Sequence, residues 1–506
     1  MQGRRREFLG ALAGAPAFLQ AWNQDPANPA ALQFGDLNGG RAIVWARSPR
    51  AARMTVRWRT TERPTSETRL VRGPALTARS DFTGRVELSS LPAGQRIFVE
   101  VELAGLDGGR GVPLLGHFQT PGAGRSPLRL LWSGDMVGQG WGINPDWGGI
   151  RIFETMRRLE PHLFLHSGDT IYADNPVPVE VEMPGGKPWR NVVTEAKSKV
   201  AETLDEFRGC YRYNLLDENV RQFSAEVAQL WQWDDHEITN NWSPSKDLSA
   251  DARYREKNIQ VLVDRGRQAF LEFAPMLLQG NRIYRKIACG PLLDVFLIDM
   301  RSYRGPNTYN RQHAESAETA FLADTQTRWL AEGLRRSRAA WKIVAADMPV
   351  GLIVGDGKDK EGRPRFENCS NGDGPALGRE IEIARLLASI KRSNVRNIVW
   401  LTADVHYTAA HHYDPARARF TDFLPFHEFV SGPLNAGTFG PGALDNTFGP
   451  QVLFQKAPPP GQSNLPPSAG MQFFGEVRVG EQELTVVLRD SAGDALYSRT
   501  LALERG

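Results

Sequence analysis

Leu163-Phe-Leu-His-Ser-Gly-Asp-Thr-Ile-Tyr172 is the stretch whose reading decides the fold. It opens on an apolar run, breaks at a glycine and delivers an acid, Asp169. Upstream, residues 128–132 (Leu-Arg-Leu-Leu-Trp) form another short apolar run. Between the two, Ile150, Phe153 and Met156 fall near helical spacing in a segment that ends at Glu160-Pro161. Strand, helix and strand in this order predict a βαβ unit.

The same punctuation recurs along the chain. The run 128–132 leads to Asp135, 163–165 to Asp169, 230–233 to Asp234 and Asp235, 295–298 to Asp299, 343–346 to Asp347, and 398–401 to Asp404. In open α/β sheets, ligands bind beyond the carboxyl ends of the strands. A single strand-end aspartate reads most simply as a turn or helix cap. Several at one edge repel one another unless cations neutralise them, or unless they are protonated or hydrogen-bonded. Taken as a set, they point to a metal site.

Three local motifs sharpen that reading. Ser167-Gly-Asp-Thr-Ile-Tyr172 places Asp169 and Tyr172 three residues apart, a spacing that can aim a carboxylate and a phenol at one point. In Trp233-Asp-Asp-His-Glu237, Asp235 can ligate a metal while His236 faces a substrate; two acids before a histidine also fit an ordinary helix start. In Thr402-Ala-Asp-Val-His406, Asp404 and His406 are two apart and share a face of an extended chain. Oxygen with imidazole suits iron, manganese or zinc, whereas oxygen alone suits calcium or magnesium. Asn240, Asn241 and Arg301 are candidate phosphate contacts, or else structural hydrogen-bonding groups.

Outward from this centre the pattern changes. From about residue 32 to 120, runs such as 41–45, 54–58 and 97–103 are β-branched and aromatic with partial alternation, and Pro, Gly and Ser separate them. A small antiparallel sandwich is expected there, followed by a linker at 121–127. Residues 174–227 read as a polar insertion with a helical second half, and 472–503 as strands.

The bulk numbers set the class. The 506 residues are 41% hydrophobic and 24% charged, enough for a large core and not a disordered chain. The net charge of +3 points to neither nucleic acid nor an acidic membrane as a stable partner. Cys210, Cys289 and Cys369 lie far apart, so buried thiols are expected and not a zinc–thiolate site. Arg5-Arg6-Glu7-Phe8-Leu9, followed by a short Ala- and Gly-rich segment, is similar to a twin-arginine signal. Residues 1–30 are therefore expected to engage the twin-arginine machinery and send the protein to the periplasm or outside the cell.

In this order, the blocks 167–174, 233–242, 297–304, 401–407 and 428–434 resemble the alkaline phosphatase D family of the calcineurin-like metallophosphoesterases. The resemblance implies an α/β fold, a four-layer β-sandwich flanked by helices over 128–506. It adds an N-terminal all-β, Ig/fibronectin-like domain over 31–122. It implies a multinuclear metal centre, with Fe(III) and Ca(II) expected and Mn(II) or Zn(II) as alternatives. Asp169 would bridge metals, Tyr172 would ligate a ferric ion, and Asp235 would bind the second metal. Asp404 and His406 would complete the centre, and His236 would assist the leaving group. Many relatives carry a cysteine in the first strand-end motif; Ser133-Gly-Asp-Met-Val137 has none, and Asp135 is expected to replace it as an oxygen ligand. The expected activity is hydrolysis of phosphate monoesters or diesters. A diesterase for polymeric substrates and a non-catalytic binding protein with a relict site are the alternatives.

Overall fold

In the computed structural model, residues 25–61, 67–124, 126–183 and 186–505 are described; the twin-arginine motif lies outside them. The expected βαβ unit is present. Strands Leu128–Ser133 and Leu163–Ser167 pair in parallel, with helix Ile152–Arg157 between them. Strand Ala228–Gln232 joins them, also in parallel. A second parallel run consists of Leu293–Leu297, Trp341–Ala345, Ile398–Thr402 and Phe426–Val430.

These runs are the centres of a nine-stranded and a seven-stranded sheet packed face to face. The side-chain period of two sets the layering. Leu130 and Trp132, Leu163 and Leu165, and Leu230 fill the core between the sheets, opposite Val295, Ile343 and Leu401. The alternate residues point outward and are covered by helices. Leu131 and Phe164 pack with Phe153, Val220 and Phe223. Trp231 packs with helix residues Phe207, Leu262 and Phe270. Phe296, Val344 and Trp400 pack with Leu330, Leu334, Ile383 and Leu387. Burial on both faces is why these strands read as continuous apolar runs with no polar face. The result is helix, sheet, sheet, helix.

Two polar side chains stitch the sheets together just below the strand ends. Gln232 Nε2 donates to the carbonyls of Ile298 and Ala345, each at 2.9 Å. Trp132 Nε1 donates to the Thr402 carbonyl at 3.2 Å. The parallel strands of both sheets release their acids beyond this seam.

The N-terminal region is all-β, as expected, and it is continuous with the larger sheet. Strands Ala31–Asn38, Arg41–Arg47 and Thr83–Leu88 extend the nine-stranded sheet, through a parallel pairing of Phe34 with Ala228. The other four, Ala52–Arg59, Arg69–Leu76, Arg96–Gly105 and Leu114–Gln119, form a separate antiparallel sheet. The physical reason for the continuity lies in Ala31–Asn38, which is buried at seven of its eight positions and takes a strand on each side. The three cysteines are buried and unpaired. No helix among the described residues is long and apolar enough to cross a membrane.

Candidate metal centre

Asp135, Asp169, Asp404 and His406 all sit on tight turns just past strand ends, with left-handed φ of 65°, 51°, 66° and 60°. Such backbone costs about 1–3 kcal/mol per residue and persists where surrounding structure fixes it. Gly168 makes the Asp169 turn possible: a Cβ there would collide with Asp234. From opposite sheets, the turns bring Asp135, Asp169 and His406 together, with potential ligand atoms within 4.8 Å of one another; the same holds for Asp169, Asp235 and His236, and for Asp234, Asp235 and Asp404. Asp169 belongs to the first two groups and Asp235 to the last two, so the groups are continuous.

The donors fit a cation by what they lack. Asp135 is buried and neither carboxylate oxygen has a hydrogen-bond partner. Asp235 Oδ1 is likewise buried and unpartnered. Burial, with the neighbouring acids, pushes Asp135, Asp169 and Asp404 well above the ordinary carboxylate range. Burial also opposes ionisation of Asp235, but His236 and then Arg301 overcome it and hold this carboxyl near about 2. Unpaired buried carboxylates are costly, and a bound metal removes that cost.

The histidines are pre-set in different ways. His406 Nδ1 is bonded to the Gly437 carbonyl, and burial lowers its pKa to about 4. A carbonyl only accepts, so Nδ1 carries the hydrogen and Nε2 keeps its lone pair, the tautomer a metal ligand needs. Nε2 lies 2.9 Å from the Tyr172 hydroxyl and 3.9 Å from Asp135 Oδ1. His236 Nδ1 lies 2.6 Å from Asp174 Oδ1, and its ring stacks on Tyr172 at 4.2 Å. Burial favours neutral His236; Asp174, Asp235 and Asp169 outweigh it and hold the pKa well above the usual value. Its Nε2 is 3.9 Å from Asp235 and borders the cleft.

That cleft has a volume of 610 Å³ and opens over Asp169, Asp235, His236, Asp404 and His406. Asn240 and Asn241 also border it. Asn240 is exposed and its amide N–H supports Asp174 at 2.9 Å. The Asn241 amide N–H bonds Asp235 Oδ2, and its side chain donates to Asp356 at 3.1 Å. Arg301 does not border the cleft. Its guanidinium is completely buried, pairing with Asp234, with Asp347 at 3.1 Å, with Glu367, and with Asp404 at 3.5 Å. The reading of Arg301 as a phosphate contact is corrected by this burial: it neutralises the acids beneath the centre. Asp299 is a turn cap, accepting from Trp233 Nε1 and from the Arg301 and Ser302 amides.

Sequence reasoning assigned no role to Asp174, Glu237 or Glu367. Glu237 is fully buried and accepts three backbone N–H groups, from Asp169, Thr170 and Asp234, at 3.2, 2.6 and 2.7 Å. It pins the Asp169 turn to the Asp235 turn. The Asp234-x-x-Glu237 spacing, that of a capping box, was the signal that could have found it.

Comparison with known proteins bears on the family and the fold. The PhoD-like phosphatase family matches residues 130–488, and the N-terminal domain of PhoD-like phosphatases matches 13–122. Alkaline phosphatase D of Bacillus subtilis (strain 168) is 24% identical over 321 residues, covering 60% of this chain and 51% of that protein. The chain thus spans about half the length of this curated relative. A solved structure of PhoD superposes with a TM-score of 0.70 at 18% identity, covering 97% of this chain and 92% of that one. Purple acid phosphatase PPD1 from yellow lupin (Lupinus luteus) seeds gives a TM-score of 0.56 at 13% identity, covering 94% and 75%. With the matched segment spanning most of the two-sheet body and all of the strand-end acids, the chain belongs to the PhoD-like phosphatase family.

Proposed function

We propose that this protein is an exported, metal-dependent phosphoesterase that hydrolyses phosphate monoesters or diesters in the cleft above Asp169. The observation that carries the reading is the buried, unpartnered Asp135 beside Asp169 and a His406 whose tautomer turns an Nε2 lone pair toward Tyr172 and Asp135. Asp135, Asp169, Tyr172 and His406 would hold one ion, and Asp169, Asp235 and Asp404 would hold a second. With an oxygen-rich set and no thiolate, Fe(III) with Ca(II) fits, as does Mn(II) or Zn(II). When bound, such ions supply positive charge to the phosphoryl oxygens and lower the pKa of a water.

The residues of this chain do the rest. His236, held by Asp174 through Nδ1, presents Nε2–H to the leaving oxygen and gives it a proton as the ester bond breaks. Asn240 borders the cleft beside it and is placed to bond a phosphoryl oxygen. The Asn241 side chain is committed to Asp356, so Asn241 acts mainly by steadying Asp235. The Arg301 network keeps the acids below from adding their charge to the centre. The basic N-terminal motif directs the folded enzyme through the twin-arginine route, and replacing Arg5 and Arg6 with lysine is expected to keep activity in the cytoplasm. Removing metal with a chelator and restoring single ions, with p-nitrophenyl and bis-p-nitrophenyl phosphate as substrates, tests the reading. Loss and metal-specific recovery of hydrolysis supports it; full activity in metal-free protein sinks it.

A further inference from the structure

At the end of the sandwich opposite the metal cleft, the apolar filling between the sheets breaks. Strands Thr408–Tyr413 and Phe426–Val430 pair with His412 directly opposite His427 and Ala410 opposite Phe429. Ala410 and Phe429 belong to the inter-sheet core, so His412 and His427, two positions along, share that inward face. Their rings lie 4.7 Å apart. On the facing sheet, Leu501 packs against the same core, and Arg499 two positions before it shares its face. Three basic side chains thus lie on this inward face at its rim, Arg499 exposed and the two histidines half-buried. They border a cavity of 290 Å³ with Trp341, Val399 and Leu501. The strand from Ile398 to Thr402 runs from this cavity toward Asp404, which puts about 20 Å between the two ends at ~3.3 Å per residue.

The charges around the cavity do not cancel. Glu504, the acid in its lining, is paired with Arg396. Asp414 acts on His412, whereas the charged groups that act on His427 are His412 and Arg499, and its Nε2 is buried without a partner. A basic residue turned inward can guard an edge strand against pairing with another chain. That explanation reaches Arg499, on the edge strand Ala495–Ala502, but not His412 and His427, whose strands lie inside the seven-stranded sheet.

We propose that this cavity binds a small organic oxyanion, a carboxylate or phosphate on a compact apolar body. Arg499 and the two imidazoles meet the anionic head, and Trp341, Val399 and Leu501 surround the body. The volume is at the lower end for ligand pockets, which suits one ring or a short chain and no polymer. Burial, then His412 and Arg499, holds His427 near about 4, so around neutral pH the imidazoles donate through neutral N–H groups. Arg499 supplies the fixed charge, and charge-assisted hydrogen bonds to it fix the head.

The test uses the full chain with benzoate as the organic probe and inorganic phosphate as a head without a body, read by the imidazole NMR signals of His412 and His427. Benzoate is expected to shift both signals saturably and to bind more tightly than phosphate. Arg499→Met and His427→Phe should each weaken benzoate binding about tenfold or more, the scale of one charge-assisted hydrogen bond. Ester hydrolysis, about 20 Å away by the strand length, should be unchanged in Arg499→Met and reports that this variant is folded. Unmoved ring signals, equal binding of phosphate and benzoate, or undiminished benzoate binding by folded Arg499→Met would each overturn the proposal.

Discussion

Two sets of buried carboxylates lie side by side under the cleft, and they differ in where their positive charge comes from. Asp234, Asp347 and Glu367 surround Arg301, a cation built into the chain. Asp135 and Asp169 have no arginine or lysine in that role: the cation that acts on them is the titratable His236, and neither Asp135 oxygen has a hydrogen-bond partner. Asp135, Asp169, Asp234 and Asp347 all sit just past the ends of parallel strands, each after a short apolar run, whereas Glu367 follows the short antiparallel strand Pro364–Phe366. On the proposed reading, a strand-end acid serves as a metal ligand only where the protein leaves its charge without an arginine. Asp404 lies on the border, 3.5 Å from Arg301 and within reach of Asp235.

The sharpest way to break the comparison is Asp169→Ala. It removes the carboxylate common to two ligand groups, and the account predicts loss of metal. A metal centre worth several kcal/mol of charge stabilisation implies a fall of ~10³-fold or more in ester hydrolysis. Retained metal with retained activity would erase the distinction between the two sets.

His236→Ala tests whether the histidine beside the uncompensated set is a ligand or a proton donor. The expected result is retained metal and a loss of ~10²–10⁴-fold on alkyl phosphates, with a much smaller loss on p-nitrophenyl phosphate, whose leaving group needs no proton. Metal loss would move His236 into the ligand set.

Arg301→Met probes the compensated set. Removing one partner of a buried ionic network leaves carboxylates without a counter-charge, and about 3–5 kcal/mol of stability should go, read by urea unfolding. The variant should keep affinity for metal whenever it is folded. Wild-type stability would mean that the acids around Arg301 are neutral without it.

The smallest expected effect belongs to Glu237→Gln. The amide has one oxygen where the carboxylate offers two, so three N–H groups cannot all be satisfied. Metal affinity is expected to fall ~10–100-fold, the usual cost of losing a group that orients ligands, with hydrolysis rescued by excess metal. Unchanged affinity by metal titration would show that the two turns hold themselves.

Much of this was legible in the sequence because it depends on local pattern. The apolar runs at 128–132 and 163–165 gave strands, and the acids after them gave the turns that the fold brings together. What the pattern could not separate was Asp169 from Asp347. Which of them meets an arginine depends on Arg301 reaching across from another strand end, a contact no spacing encodes. Asp174 was hidden for the same reason, since its partner His236 is distant in the chain. The alternation at 54–58 and 97–103 gave an antiparallel sheet, and these two strands do pair, but alternation carries no information on which other sheet the region joins. That Ala31–Asn38 would pair with Ala228–Gln232 is visible only in its nearly complete burial.

The central claim is that the uncompensated acids are a metal centre and the compensated ones are not. Elemental analysis of the purified protein beside Asp135→Asn and Asp347→Asn tests it most directly. The account predicts bound transition or alkaline-earth metal in the wild type, a loss of at least one ion per chain in Asp135→Asn, and wild-type content in folded Asp347→Asn. Equal metal content in folded Asp135→Asn and wild type, or an active wild type free of metal, would contradict it.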